Sequence, residues 1–163
     1  NPWREARIST VPLDFAVTLS TRSPRGVYFR VAPSEEDIGN ALSLDTAKDE
    51  LPEGKVPLFY FEDFKVPASE VPGFKSGDDS QSSSLSDASP LYFRKSEAVA
   101  AWKRWNPTLD APELKVTELF SVITEMVKPG GQDDELKGLV FVPPKESSAK
   151  EKECRKKGGK EQP

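Results

Sequence analysis

Four short runs of β-branched and aromatic residues set the limits on this fold: "GVYFRV" (26–31), "VPLFYF" (56–61), "PLYF" (90–93) and "GLVFV" (138–142). A strand with one wet face alternates apolar and polar residues. These runs do not. In 56–61, Leu58 and Tyr60 project to one side while Phe59 and Phe61 project to the other. Leaving a large aromatic in water forgoes about 1.5–3 kcal/mol, so both faces need cover. Helices can supply one layer. The other comes from a second layer, from the chain's arms, or from a bound partner.

Helical patterns lie between these runs. Val11 to Leu19 is apolar and periodic, with Pro12 suited to a first turn and Val11, Phe15, Thr18 and Leu19 on one predicted face. Ser34 followed by Asp37 is a capping signature, and Glu35, Glu36 and Asp37 suit the positive end of a helix carrying Ile38, Ala41 and Leu42. Ser96 is the expected cap of a helix reaching Trp105. Its stripe is Ala98, Ala101, Trp102 and Trp105, which turns Lys103 and Arg104 outward. "LKV" (114–116) reads as a short strand. Residues 117–127 place Leu119, Phe120, Ile123, Met126 and Val127 at helical spacing. Residues 65–90, with three prolines, two glycines and the run "SGDDSQSSSLSDAS", read as one long polar loop. The predicted class is α+β, a β-sheet with helices packed outside it.

Much of the 163-residue chain is loop or tail, with 31% charged residues and 15 prolines. The expected organisation is an N-terminal arm at 1–10, a domain at 11–144, and a basic extended tail at 145–163. The tail carries 7 Lys and Arg against 4 Glu, a net of +3, which leaves −7 for the rest. An acidic body argues against nucleic acid as the main ligand, while the tail could meet an acidic protein surface. No run approaches the roughly 20 apolar residues of a spanning helix, so a soluble protein is expected. A start at Asn1 rather than Met suggests a processed or trimmed product.

Enzymatic chemistry has little to work with. The chain has no histidine and a single cysteine, Cys154, which removes His-activated nucleophiles, an intrachain disulfide and a conventional zinc set. The acidic clusters at 35–37, 62–63, 78–79 and 133–135 lack the spacing of a calcium loop, and Gly130-Gly131 precedes acids rather than a phosphate-binding lysine. No catalytic, cofactor or metal site is expected. Candidate partner contacts are the aromatics Phe59, Phe61, Phe64 and Phe74, the outward Lys103 and Arg104, and the tail cations Lys150, Arg155, Lys156 and Lys157.

Two parts of the chain look alike. Val11–Val17 aligns without gaps on Val116–Val122. Each is followed by a turn and a Gly-led run, with Gly26 over Gly138 and Phe29 over Phe141. Residues 26–33, 34–44, 56–61, 90–105, 116–127 and 138–144, in that order, resemble the chloroplast inner-envelope translocon subunit of twenty-two kilodaltons and its cyanobacterial relatives. The resemblance implies two related halves around β-sheets, apolar pockets for polypeptide, and a non-enzymatic, chaperone-like part in preprotein import. This chain departs from it by lacking most of the first half-repeat, inserting a Ser-rich loop at 76–89 and adding the basic tail. A copy with arms suits one fixed partner. The main expectation is therefore a plastid protein-binding subunit, stromal or on the thylakoid surface, stabilising an assembly such as a phycobilisome-type antenna. The alternative is an import factor of the envelope intermembrane space that binds transit peptides.

Overall fold

The structure is a computed structural model that describes residues 10–22, 25–44, 51–52, 54–71, 87–128, 136 and 138–156. The chain divides into two compact units, one of residues 1–31 with 144–163 and the other of residues 32–143.

The larger unit holds the sheet. Its strands are β1 (Pro57–Phe61), β2 (Val66–Pro67), β3 (Asp87–Tyr92), β4 (Leu114–Glu118) and β5 (Leu139–Val142). Strand β4 runs antiparallel to β1, from Pro57 opposite Glu118 to Phe61 opposite Leu114. On its other side β1 meets β3 at Phe59 and Tyr92, and β2 continues that edge with Val66 opposite Ala88. Strand β5 lies parallel to β3, with Ser89 opposite Leu139 and Tyr92 opposite Val142. A parallel neighbour needs a long crossover, and the chain between β3 and β5 provides it. Among the described residues, that leaves β4 and β5 as the two edges.

The doubly apolar reading of 56–61 holds. Leu58 and Phe59 are both 0% exposed although they project to opposite faces. On the Phe59 face, Phe61, Tyr92, Val142, Leu114 and Val116 meet Ala41 and Leu44 from helix α2 (Glu35–Leu44), and Ala98, Val99 and Trp102 from helix α3 (Lys95–Trp105). Glu62 and Asp63 then reverse the chain. Asp63 sits at φ +58°, a left-handed conformation that aspartate tolerates better than most side chains. The reversal brings Phe64 back beside Phe61, and Trp102 packs against both in tilted contact, with ring centroids 5.1 and 5.2 Å away. The buried indole Nε1 of Trp102 has no hydrogen-bond partner among the described residues.

The capping signature at Ser34 is present. The Asp37 N–H donates to Ser34 Oγ at 3.2 Å, and the Ser34 hydroxyl donates to the Asp37 carboxylate. Arg94 reaches the same group from the end of β3, donating to both Ser34 Oγ and Asp37 Oδ2. Asp37 is the buried charged residue among those described, at 4% exposure. Helix α3 starts one residue before Ser96, with Arg94 at its N-cap and no side-chain cap. Helix α4 (Leu119–Val127) inserts Leu119 at 0% exposure, while Val127 is 73% exposed. Of the expected stripe only Val127 turns outward: Leu119 is buried, Phe120, Ile123 and Met126 are half-buried, and Val122 joins them.

The long polar loop is shorter than the composition suggested. Val66, Ala68 and Val71 are core residues, held by β2 and a 3₁₀ turn at Ala68–Glu70. Prolines 67 and 72 disguised this segment. Most of the Ser-rich run lies outside the described residues.

The smaller unit contains helix α1 (Leu13–Thr21) and helix α5 (Lys145–Lys156). Helix α1 has Leu13, Ala16, Val17, Leu19 and Ser20 half-buried and leaves Val11, Phe15 and Thr18 exposed, so of the predicted face only Leu19 turns inward. Pro12 precedes the helix as its N-cap rather than lying in its first turn. The basic tail is helical rather than extended through Lys156. Lys150 pairs with Glu153, and Arg155 with Glu151, at the one-turn spacing that supports a helix. Residues 26–31 form no strand. Gly26 lies in a turn at φ +80°, and the residues after it are irregular, with Val27, Tyr28 and Phe29 at 47%, 92% and 43% exposure. High β propensity yields a strand only where an edge is available to pair with.

Candidate functional site

The expected partner contacts do not gather into one site. Phe59, Phe61 and Phe64 are 0%, 4% and 5% exposed, part of the core that binds α2 and α3 to the sheet. They are therefore corrected from a partner-facing surface to packing residues. The reason is that β1 is flanked by strands on both sides and covered on both faces. Phe74 and Lys157 lie outside the described residues. Lys103 and Arg104 do face outward. Arg104 bonds Glu70 at 3.3 Å and sits 5.7 Å from the ring centroid of Trp105. Trp105 itself is 40% exposed and so belongs to the surface end of the tryptophan stripe, not the core. Lys150, Arg155 and Lys156 are on α5 in the smaller unit, the first two engaged along their own helix.

A concave feature of the larger unit lies elsewhere, against β4. Ala41 and Leu42 of α2, Leu51 and Pro52, and Val116 of β4 give it an apolar floor and wall. Lys55, Thr117, Glu118 and Ser121 give it a polar rim, and its volume is about 320 Å³. That size accepts one or two side chains and lies at the small end of the range for ligand sites.

Glu118 builds this rim. It is the last residue of β4 and the N-cap of α4, accepting from the N–H of Phe120 at 3.1 Å and of Ser121 at 2.9 Å. It also accepts from the Val56 N–H and the Lys55 ammonium, both at 3.3 Å. Burial pushes the Glu118 carboxyl up, but these backbone donors and the Ser121 hydroxyl outweigh burial and hold it below the usual carboxylate value. The carboxylate is thus fully engaged in holding β1, β4 and α4 together, and it offers charge to the groove rather than a proton to a reaction. Gly54, at φ +83°, makes the preceding turn that aims Lys55 at it.

Beside the groove, β4 pairs with β1 and, among the described residues, with no strand on its other side. Its side chains are all half-buried. Leu114 and Val116 face the core, and Lys115 faces Glu62, whose carboxylate raises the lysine's proton affinity. An extended polypeptide laid on this edge would pair with backbone groups and place a side chain in the groove, the mode known as β-augmentation. Sequence reading missed these residues because an edge and a cavity arise from chain segments far apart. The one local signal was the acid before "LFSVI", which marks a helix cap at a strand end.

Among the described residues, no group of acids and the cysteine is placed to hold a metal ion, and no helix is long and apolar enough to cross a membrane.

No protein-family profile and no curated protein matches the chain. Solved structures do. Tic22 from Plasmodium falciparum is 21% identical with a TM-score of 0.50, over 91% of this chain and 63% of that one. Anabaena Tic22 (protein transport) is 17% identical with a TM-score of 0.50, over 93% of this chain and 62% of that one. The chain spans less than two thirds of the length of either. At these identities the likeness is one of fold: the chain has a divergent Tic22-type fold, as the resemblance of its strand and helix order implied.

Proposed function

We propose that this chain is a protein-binding factor of polypeptide transport that receives extended segments at the β4 edge, with the neighbouring groove taking an apolar side chain. The carrying observation is the Tic22-type fold over nine tenths of the chain, one of whose solved neighbours is described by protein transport. The groove and the open edge supply a physical means. Backbone pairing is indifferent to sequence and the groove asks only for an apolar residue, a combination that suits many client segments. The larger unit, with 21 acidic against 11 basic side chains, would favour basic clients. Transit-type segments, rich in Arg and Ser and poor in acids, fit that description. This reading makes no use of catalysis.

On this reading the setting is a plastid envelope, and the import role replaces antenna stabilisation as the leading function. The antenna reading rested on extended arms, and the described part of the tail is a helix closed by its own ion pairs. The test is fluorescence anisotropy with a labelled transit-type peptide and a reduced, carboxymethylated protein as probes. Weak binding of both, near the micromolar range and reduced by Ser121→Trp, which fills the groove from its exposed rim, supports the reading. Failure of both probes to bind contradicts it.

A further inference from the structure

Among the described residues that line the groove beside β4, Lys55 and Glu118 are the charged ones. They are not equally committed. The Glu118 side chain is 16% exposed and accepts from the N–H groups of Val56, Phe120 and Ser121 and from the Ser121 hydroxyl. Those donors hold its charge without help from a cation. The Lys55 side chain is 44% exposed, and its ammonium, with three N–H bonds to give, meets Glu118 Oε2 at 3.3 Å.

The backbone fixes where that ammonium can be. The Lys55 N–H donates to the Pro52 carbonyl at 3.1 Å across a turn made by Gly54 at φ +83°. The next residue, Val56, is 2% exposed, accepts from the Leu119 N–H at 2.9 Å and donates to Glu118. Lys55 therefore rises from an anchored point at the groove rim.

A basic client brings its own competitor for the groove. An arginine stem is apolar enough to lie on Ala41, Leu42 and Val116 while its head stays at the rim. Glu118 alone would attract that head. Lys55 covers the carboxylate and sets a positive charge where the guanidinium would arrive. A leucine side chain meets no such opposition, because the closed pair is neutral overall and the floor is apolar.

We infer, resting on the transport reading, that Lys55 determines the specificity of the groove: it turns arginine away and reserves the space for an uncharged apolar side chain. A basic client is then received in the register that seats an apolar residue and leaves its cations outside.

The experiment is fluorescence anisotropy of the full chain with two labelled peptides of Ser and Arg that differ at one central position, Leu or Arg. The Leu peptide should bind about tenfold more tightly. Long-range attraction to the acidic unit would by itself favour the Arg peptide, which carries one more charge, so the order of the two is diagnostic. Lys55→Met should shrink the preference about fivefold or more, chiefly by strengthening the Arg peptide, and Lys55→Arg should keep it. Lys55→Gln is a second neutral form with the same expectation. Both neutral forms should keep a urea midpoint near that of the unchanged chain, since a solvent-exposed pair contributes little to stability. A preference for Leu that survives both neutral variants overturns the inference and leaves the transport reading standing. So does equal or tighter binding of the Arg peptide by the unchanged chain. Failure of both peptides to bind any form overturns the transport reading, and the inference with it.

Discussion

Removing the Arg94 guanidinium is predicted to cost more than neutralising the carboxylate it serves. Asp37 joins the start of α2 to the end of β3 through Ser34 and Arg94. The two charged side chains differ in exposure, 6% for Asp37 and 24% for Arg94. Arg94→Met leaves a buried carboxylate with only the helix N-terminus and the Ser34 hydroxyl for company. Breaking a fully buried pair costs about 3–5 kcal/mol, and the partial exposure of this one puts it near about 3 kcal/mol. Asp37→Asn keeps a hydrogen-bonding group beside Ser34, and water can solvate the partly exposed guanidinium, so its cost is about 1–2 kcal/mol. With a urea m-value of about 1.5 kcal/mol/M, the midpoints should fall by about 2 M and about 1 M. The double variant should cost at least about 1 kcal/mol less than the sum, because the second change removes a charge the first left unpaired. Urea unfolding followed by far-ultraviolet circular dichroism reads all three. Equal shifts for the two single variants, or strict additivity, would refute this reasoning.

Trp102 gives a second test. Trp102→Phe removes an N–H that is buried without a partner among the described residues and keeps ring contact with Phe61 and Phe64, so stability should change by less than about 1 kcal/mol, whereas Trp102→Ala should cost about 3 kcal/mol or more; thermal melts of both variants check this. Because the Glu118 carboxyl is held below its ordinary value, it contributes stability at pH above the unfolded value of about 4.3, and that contribution is lost as pH falls through the folded value. Glu118→Gln should therefore lower the urea midpoint at pH 7 and flatten its decline between pH 5 and pH 3. Burial, with the nearby Glu97 carboxylate, pushes Tyr92 up to about 12 against the smaller opposing pull of Arg104. Its contribution is complete below the ordinary value of about 10 and is lost as pH rises toward 12, so Tyr92→Phe should make stability less sensitive to pH in that window.

The sheet's core was readable because both faces of 56–61 are apolar, and only a central, covered strand tolerates that. The helix at 35–44 was readable because Ser34 and Asp37 are three residues apart and the cap needs no distant partner. Residues 26–31 misled because strand-forming side chains do not by themselves provide an edge. The stretch 66–71 was hidden because its buried Val66, Ala68 and Val71 are interleaved with polar residues and proline. The candidate site was legible least of all. Phe59, Phe61 and Phe64 look adhesive in sequence, and burial makes them packing. Ala41, Leu51, Lys55, Val116 and Glu118 look ordinary, and the fold brings them to one groove.

The most direct test of polypeptide reception at this groove is a backbone amide chemical-shift map of the isotopically labelled chain with an excess of a transit-type peptide. The account predicts perturbations concentrated at residues 114–118, at Ala41 and Leu42 of α2, and at Ser121, with the aromatic core around Phe61 and Trp102 unmoved. Shifts confined to α5, to Lys103 and Arg104, or spread evenly over the surface would contradict it.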